Sequence, residues 1–221
     1  SRPQDALNVF IDASGVEDQS RFFRWRWTGV YHAVAAPELR TKGLPGGAEV
    51  PDPPPCSGYI VEPGQMLLKV GECTCCSCWP YEYSSTAILS DSRFTSQYEY
   101  KKINVAAIPV VPMRFHDKYY IEIEQLSVSE DVYSFWKLVK AQQDAAGSLF
   151  QPSAVKVVGN IESTSHPSEQ VLGIFSASAV TRKHIFLTKE MVSTPLDPIQ
   201  KIAEDCTLVY TSGTNQKPLF W

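Results

Sequence analysis

Apolar and polar positions alternate along several stretches of the chain, the period of a half-buried β-strand. Leu7–Ile11 and Phe22–Ala35 show the pattern first. In Arg21-Phe-Phe-Arg-Trp-Arg-Trp-Thr-Gly-Val-Tyr31, Phe23, Trp25 and Trp27 fall on one face, and Arg24 and Arg26 on the other. Three large aromatics at period two, backed by arginines, read as a core face. The rival reading is an aromatic platform for a sugar or a base, with the arginines assisting. Further strand-like stretches lie at Tyr98–Ile108 and Lys118–Leu126. In the second of these, Ile121, Ile123 and Gln125 face opposite to Glu122 and Glu124. Ala154–Ile161, Val171–Ala179 and Lys183–Lys189 read as later strands, with Thr181-Arg-Lys183 short enough for a hairpin connection. The small residues of Ser176-Ala-Ser-Ala179 would let another backbone approach closely.

One helix breaks this rhythm. Ser127 and Glu130 have the spacing of a capping box, in which each side chain satisfies an orphan amide of the first turn. Val132, Phe135, Trp136 and Val139 repeat along one helical face, Lys137 and Lys140 sit toward the later turns, and Gly147 offers a stop. The helix is expected from about residue 128 to about residue 146. Pro37–Pro55, punctuated by Gly43, Pro45, Gly46, Gly47 and Pro51-Asp-Pro-Pro-Pro55, reads as a long loop, functional or pinned at its end by Cys56. A short helical turn is expected at Ile199–Glu204. The pattern predicts a mainly β chain with one substantial helix, a single antiparallel sandwich-like domain over residues 1–221.

Composition narrows the function. The 221 residues are enough for a sizeable core, and 43% hydrophobic content excludes a disordered chain. With 20 Lys+Arg against 24 Asp+Glu, the net charge of −4 and the lack of a basic block argue against a nucleic-acid partner. The longest apolar stretch, Val105–Met113, is broken by Pro109 and Pro112, and falls short of the ~20 apolar residues a spanning helix needs. No secretory leader is legible at Ser1, and a mature or truncated fragment would look the same.

The six cysteines are Cys56, Cys73, Cys75, Cys76, Cys78 and Cys206. Four of them crowd into Cys73-Thr-Cys-Cys-Ser-Cys78. Disulfides in an oxidising compartment are the favoured reading, and all six are candidates for bridges. The alternative is a thiolate metal site made of Cys73, Cys75, Cys76 and Cys78, although four ligands within six residues leave little chain to wrap an ion. On an extended segment Cys73 and Cys75 would share one face and Cys76 and Cys78 the other. Six cysteines allow 15 connectivities, and the sequence does not choose among them.

Catalytic signatures are missing: there is no nucleophile elbow, zinc helix, phosphate-cradling glycine loop or dinucleotide fingerprint. The histidines His32, His116, His166 and His184 are dispersed, and His116-Asp117 reads as turn chemistry. Glu122 and Glu124 share a strand face, which suits an outward, solvated face better than a carboxylate pair in catalysis. The expectation is a non-enzymatic module with no catalytic residues, no cofactor and no metal. Trp25, Trp27 and Trp79 are the candidate partner surface.

Several segments carry a family resemblance: Arg24-Trp-Arg-Trp-Thr-Gly-Val-Tyr31, Cys78-Trp-Pro80 and Tyr119-Tyr-Ile-Glu-Ile123. Longer blocks are Ser127-Val-Ser-Glu-Asp-Val-Tyr-Ser-Phe-Trp-Lys137, Gly147-Ser-Leu-Phe-Gln-Pro152, Gly159-Asn-Ile161 and Val171-Leu-Gly-Ile-Phe-Ser-Ala-Ser178. From Cys56 onward the chain resembles a Bacteroidota family catalogued as a domain of unknown function, DUF4249, whose members are outer-membrane lipoproteins encoded beside TonB-dependent receptors. The resemblance is to the C-terminal part of that architecture; a β-sandwich domain and a lipidated cysteine, neither found in this chain, precede it in the family. It implies an extracytoplasmic, outer-membrane location on the cell surface or periplasmic face, with membrane association through a lipid anchor outside this chain. It implies an accessory role in which the protein binds a TonB-dependent β-barrel transporter or its substrate. Rival readings are a cysteine-cluster metal-handling protein and a subunit of an envelope assembly or secretion complex.

Overall fold

The computed structural model describes residues 5–14, 22–90, 99–145, 157–166, 168–169 and 171–221. In chain order its elements begin with β1 (Ala6–Ser14), β2 (Phe22–Tyr31), β3 (Ala33–Val34), β4 (Thr41–Gly43), β5 (Glu49–Pro51), β6 (Tyr59–Glu62) and β7 (Met66–Lys69). Then come β8 (Ser77–Tyr83), β9 (Ile88–Leu89), β10 (Glu99–Pro109), α1 (Pro112–Phe115) and β11 (Lys118–Val128). The chain ends with α2 (Glu130–Ala145), β12 (Ala179–Thr188), α3 (Cys206–Val209) and β13 (Gly213–Thr214). The fold is mainly antiparallel β, as the alternation predicts.

A seven-stranded sheet runs β12-β11-β2-β8-β13, with β3 added beside β8 and β9 beside β2. β1 and β10 form a separate antiparallel ribbon whose Leu7, Val9, Ile11 and Ala13 turn toward the core. The two layers meet through aromatics: Tyr100 of β10 stands edge-on to Phe23 and Trp25 of β2, with ring centroids 5.6 and 6.1 Å apart. Ile121 and Ile123 of β11 join them in the core, as the alternation of that strand requires.

The helix expected over about 128–146 is α2, but its cap differs. Ser129, not Ser127, accepts the Val132 and Tyr133 amides through its hydroxyl and carbonyl oxygens, at 3.4 and 2.9 Å. Ser127 is held extended between Phe23 and Ala179 in the sheet, so it cannot turn into a helix. The expected stop at Gly147 lies outside the described residues.

Four other expectations are corrected. The loop Pro37–Pro55 contains a small hairpin, β4 against β5. Residues 157–161 and 171–178 are not strands, and Ala154–Lys156 lie outside the described residues. Here Asn160 takes over the work of a ladder: its amide donates to the Phe175 carbonyl at 2.8 Å and accepts from the Phe175 amide at 2.7 Å. A close backbone approach occurs at Gly159, where a Cβ would lie 1.4 Å from the Gly173 carbonyl oxygen. No hairpin turns at Thr181–Lys183, because β12 pairs without a break along β11 from Ala179 to Thr188. The helical turn expected at Ile199–Glu204 is absent. Ile202 is drawn into a parallel bridge with Ala35, and the turn forms as α3, where the Asp205 carboxylate accepts the Thr207 amide at 2.8 Å.

Candidate interaction surface

The segment after Cys56 builds an exposed apolar element. The turn Pro55–Ser57 ends at Gly58, whose φ is +75° and whose Cβ, if present, would lie 2.4 Å from the Gly71 carbonyl oxygen. Backbone sign and close approach both reserve the position for glycine. β6 then reverses through Pro63-Gly64-Gln65, where the Gln65 amide donates to the Glu62 carbonyl at 3.0 Å. Pro63 presets its φ and Gly64, at φ +95°, supplies the left-handed centre of the turn. β7 returns in register, with Ile60 opposite Leu68 and Val61 opposite Leu67. The Val70 and Gly71 amides close the base on the Gly58 carbonyl at 2.8 and 3.1 Å.

Neither face of this hairpin is buried. Val61 and Leu67 share one face; Ile60, Met66 and Leu68 share the other, and all five are exposed, Met66 to 64%. β6 and β7 pair only with each other among the described residues, so each keeps an unpaired edge. A lone two-stranded hairpin is marginal in water. Disulfides brace this one: Cys56–Cys75 spans its base with 5.6 Å between Cα atoms, and Cys73–Cys76 locks the following bend at 5.7 Å. Cys78–Cys206 ties β8 to α3 at 5.8 Å. Cys73–Cys78 is therefore not one extended segment with two cysteine faces, since a bend brings Cys73 and Cys76 together. Cys56, Cys75 and Asp205 gather closely enough to suggest a metal site, but the two sulfurs are bonded to each other. A bridged sulfur offers no thiolate, so the alternative set Cys73, Cys75, Cys76 and Cys78 has no ligands in this state.

The three tryptophans part company. Trp25 is wholly buried and its indole donates to Gln125 at 3.0 Å, so it belongs to the core and not to a partner surface. Trp27 is half-buried and lines an open pocket. Trp79 stacks on His32, with centroids 5.0 Å apart. The fold also gathers two histidines that are distant in sequence: His116 lies 5.4 Å from His32, centroid to centroid, and donates from Nε2 to the His32 carbonyl at 2.8 Å. Burial, then the neighbouring His116, lowers the His32 pKa. His184 stacks on Tyr120 instead, at 5.5 Å.

Glu122 and Glu124 take different hydrogen-bond partners. Glu124 accepts from Arg26 and, at 2.6 Å, from Arg182. Burial alone would raise its pKa, but these hydrogen bonds outweigh it and hold the carboxyl below its ordinary value. Glu122 accepts from the Tyr120 hydroxyl at 3.1 Å; burial, then that bond, pushes the phenol up to about 12. On β8, Glu82 accepts from Arg114 and, at 2.7 Å, from the Tyr119 hydroxyl. Burial, then the Glu82 charge, pushes the Tyr119 phenol far up, so it stays a donor at any physiological pH.

Sequence reasoning passed over the β6–β7 hairpin, although two short apolar runs around Pro63-Gly64 are its signal. No curated protein and no solved structure matches the chain. The family described as Domain of unknown function (DUF4249) matches residues 1–184. That match begins well before Cys56 and takes in β1, β2 and the hairpin together. The chain therefore belongs to the DUF4249 family.

Proposed function

We propose that the protein is a non-enzymatic accessory protein of the outer membrane, extracytoplasmic, that binds a TonB-dependent β-barrel transporter or its substrate. The β6–β7 hairpin is its docking element. The observation that carries this reading is an arm with apolar side chains on both faces and open edges, braced at its base by disulfides. Such an arm gains burial and strand pairing only when another protein covers it. The bridges suit an oxidising compartment, and the resemblance supplies the outer membrane and the transporter.

Capture from native outer membranes tests it. The wild-type chain should recover a β-barrel receptor, and a Leu67→Lys, Leu68→Glu variant should recover about tenfold less, since charges would have to be buried at the contact. Equal recovery by both removes the hairpin from the reading. A wild-type chain that never recovers a barrel overturns the accessory role.

A further inference from the structure

The large sheet carries a pocket where one neighbour of β2 gives way to another. β8 pairs with β2 as far as Thr28↔Tyr83, β9 takes over at Trp25↔Ile88, and the chain between them detours through Ser84–Ala87. The gap leaves a pocket of about 470 Å³ lined by Arg24, Arg26, Trp27, Tyr83, Ser84 and Glu124. This volume falls within the range of small-molecule sites.

Its charges are unevenly satisfied. Arg26 and Arg182 both bind Glu124, whose charge is thereby doubly matched. Arg24 has no carboxylate partner among the described residues. Its guanidinium lies over the Trp136 ring of α2, 3.5 Å from the centroid, and its Nε is buried with no hydrogen-bond partner among the described residues. The stacking fixes the plane of the group, and a fixed guanidinium fork matches a carboxylate in two parallel bonds. Burial, then the charge of Arg26, lowers the Arg24 pKa, the expected mark of a cation kept without a counter-ion. Arg24 lines the open pocket with its charge unmatched by a carboxylate, so the pocket favours an anion.

We propose that this pocket binds a small monocarboxylate bearing a flat ring, with the carboxylate on Arg24 and the ring against Tyr83. Arg24, Arg26 and Arg182 face Glu124 and Glu122, the latter 4.0 Å from Arg182, which leaves a single positive charge in surplus; a monocarboxylate cancels it, whereas a phosphate dianion would leave negative charge beside the glutamates. Tyr83 is 64% exposed and stacks near Tyr81, with centroids 6.5 Å apart, so its ring is held upright and open. The inference goes beyond the docking reading and does not rest on it. The site is built from β2, β8 and β11, and its ligand is measured on the full chain without a transporter.

Titration calorimetry with sodium benzoate and sodium nicotinate tests it, with benzamide and nicotinamide as neutral counterparts and acetate and inorganic phosphate as ringless anions. At least one ring carboxylate should saturate a single site while its neutral counterpart does not. Arg24→Gln should weaken that binding about tenfold or more. Tyr83→Ala should weaken the ring carboxylate several-fold and leave acetate unchanged. If Arg24→Gln fails to fold, as judged by its thermal transition, the wild-type contrast of acid against neutral analogue and the Tyr83→Ala result still decide the matter. No saturation by either carboxylate overturns the proposal, as does equal binding of the neutral compounds. Saturation by phosphate alone overturns the choice of ligand.

Discussion

Two antiparallel ribbons of this molecule are made of similar residues and meet opposite fates. In β1–β10 every second side chain of β1 turns inward, and Tyr100, Val105, Ala106 and Ile108 of β10 are buried beneath it. In β6–β7 the apolar residues are consecutive, Ile60-Val61 and Met66-Leu67-Leu68, so they fall on both faces, and both faces are exposed. The first ribbon is held by what it covers, the second by cross-links at its root. Apolar content therefore does not separate the buried ribbon from the exposed one here; what lies against each face does.

The largest test of that contrast removes the long cross-link from the body. Cys78–Cys206 spans 128 positions, and closing so long a loop restricts the unfolded chain most. Replacing both cysteines by serine should lower unfolding free energy by about 5 kcal/mol, read from the denaturant midpoint. Trp25→Ala comes next, since it empties the contact between the two layers; a loss of about 4 kcal/mol is expected in the same measurement. If that loss were under about 1 kcal/mol, the burial side of the comparison would fail.

A smaller effect comes with acid. His32 has a folded-state pKa below its ordinary 6.5, so the unfolded chain binds more protons once the pH falls through 6.5. Stability should be at its full value above that point, decline as pH drops toward the depressed folded value, and level off below it as far as this group is concerned. His32→Gln should flatten this part of a Tm-against-pH curve. The smallest change is expected in the arm: Leu68→Lys should shift unfolding by no more than about 0.5 kcal/mol, because the side chain is already in water. A loss of several kcal/mol would mean that the hairpin is packed after all.

The same contrast explains what the sequence could reveal. β11 was legible because Ile121 and Ile123 alternate with Glu122 and Glu124, and α2 because Val132, Phe135, Trp136 and Val139 keep helical spacing. Segments 157–161 and 171–178 have strand-like composition, yet their order depends on the Asn160 amide and the Gly159–Gly173 contact, which no periodicity encodes. The cysteine pairing was illegible for a related reason. Cys56 reaches Cys75 only because the chain reverses at Pro63-Gly64, and Cys78 reaches Cys206 only because the tail is led back past Ala35 by Ile202. The meeting of His32, Trp79 and His116 depends on the same three-dimensional return. The stripe holding Trp25 read as a core face with a platform as its rival, and the complete burial of Trp25 agrees with the core reading.

The bond between Cys78 and Cys206 makes the intervening chain a closed covalent circuit. A protease that nicks any loop inside that circuit leaves one molecule, which separates into pieces only after reduction. Tension applied to the C-terminal tail enters the large sheet at β8, next to β2, and so loads the interior of the sheet instead of peeling β12 away from its edge.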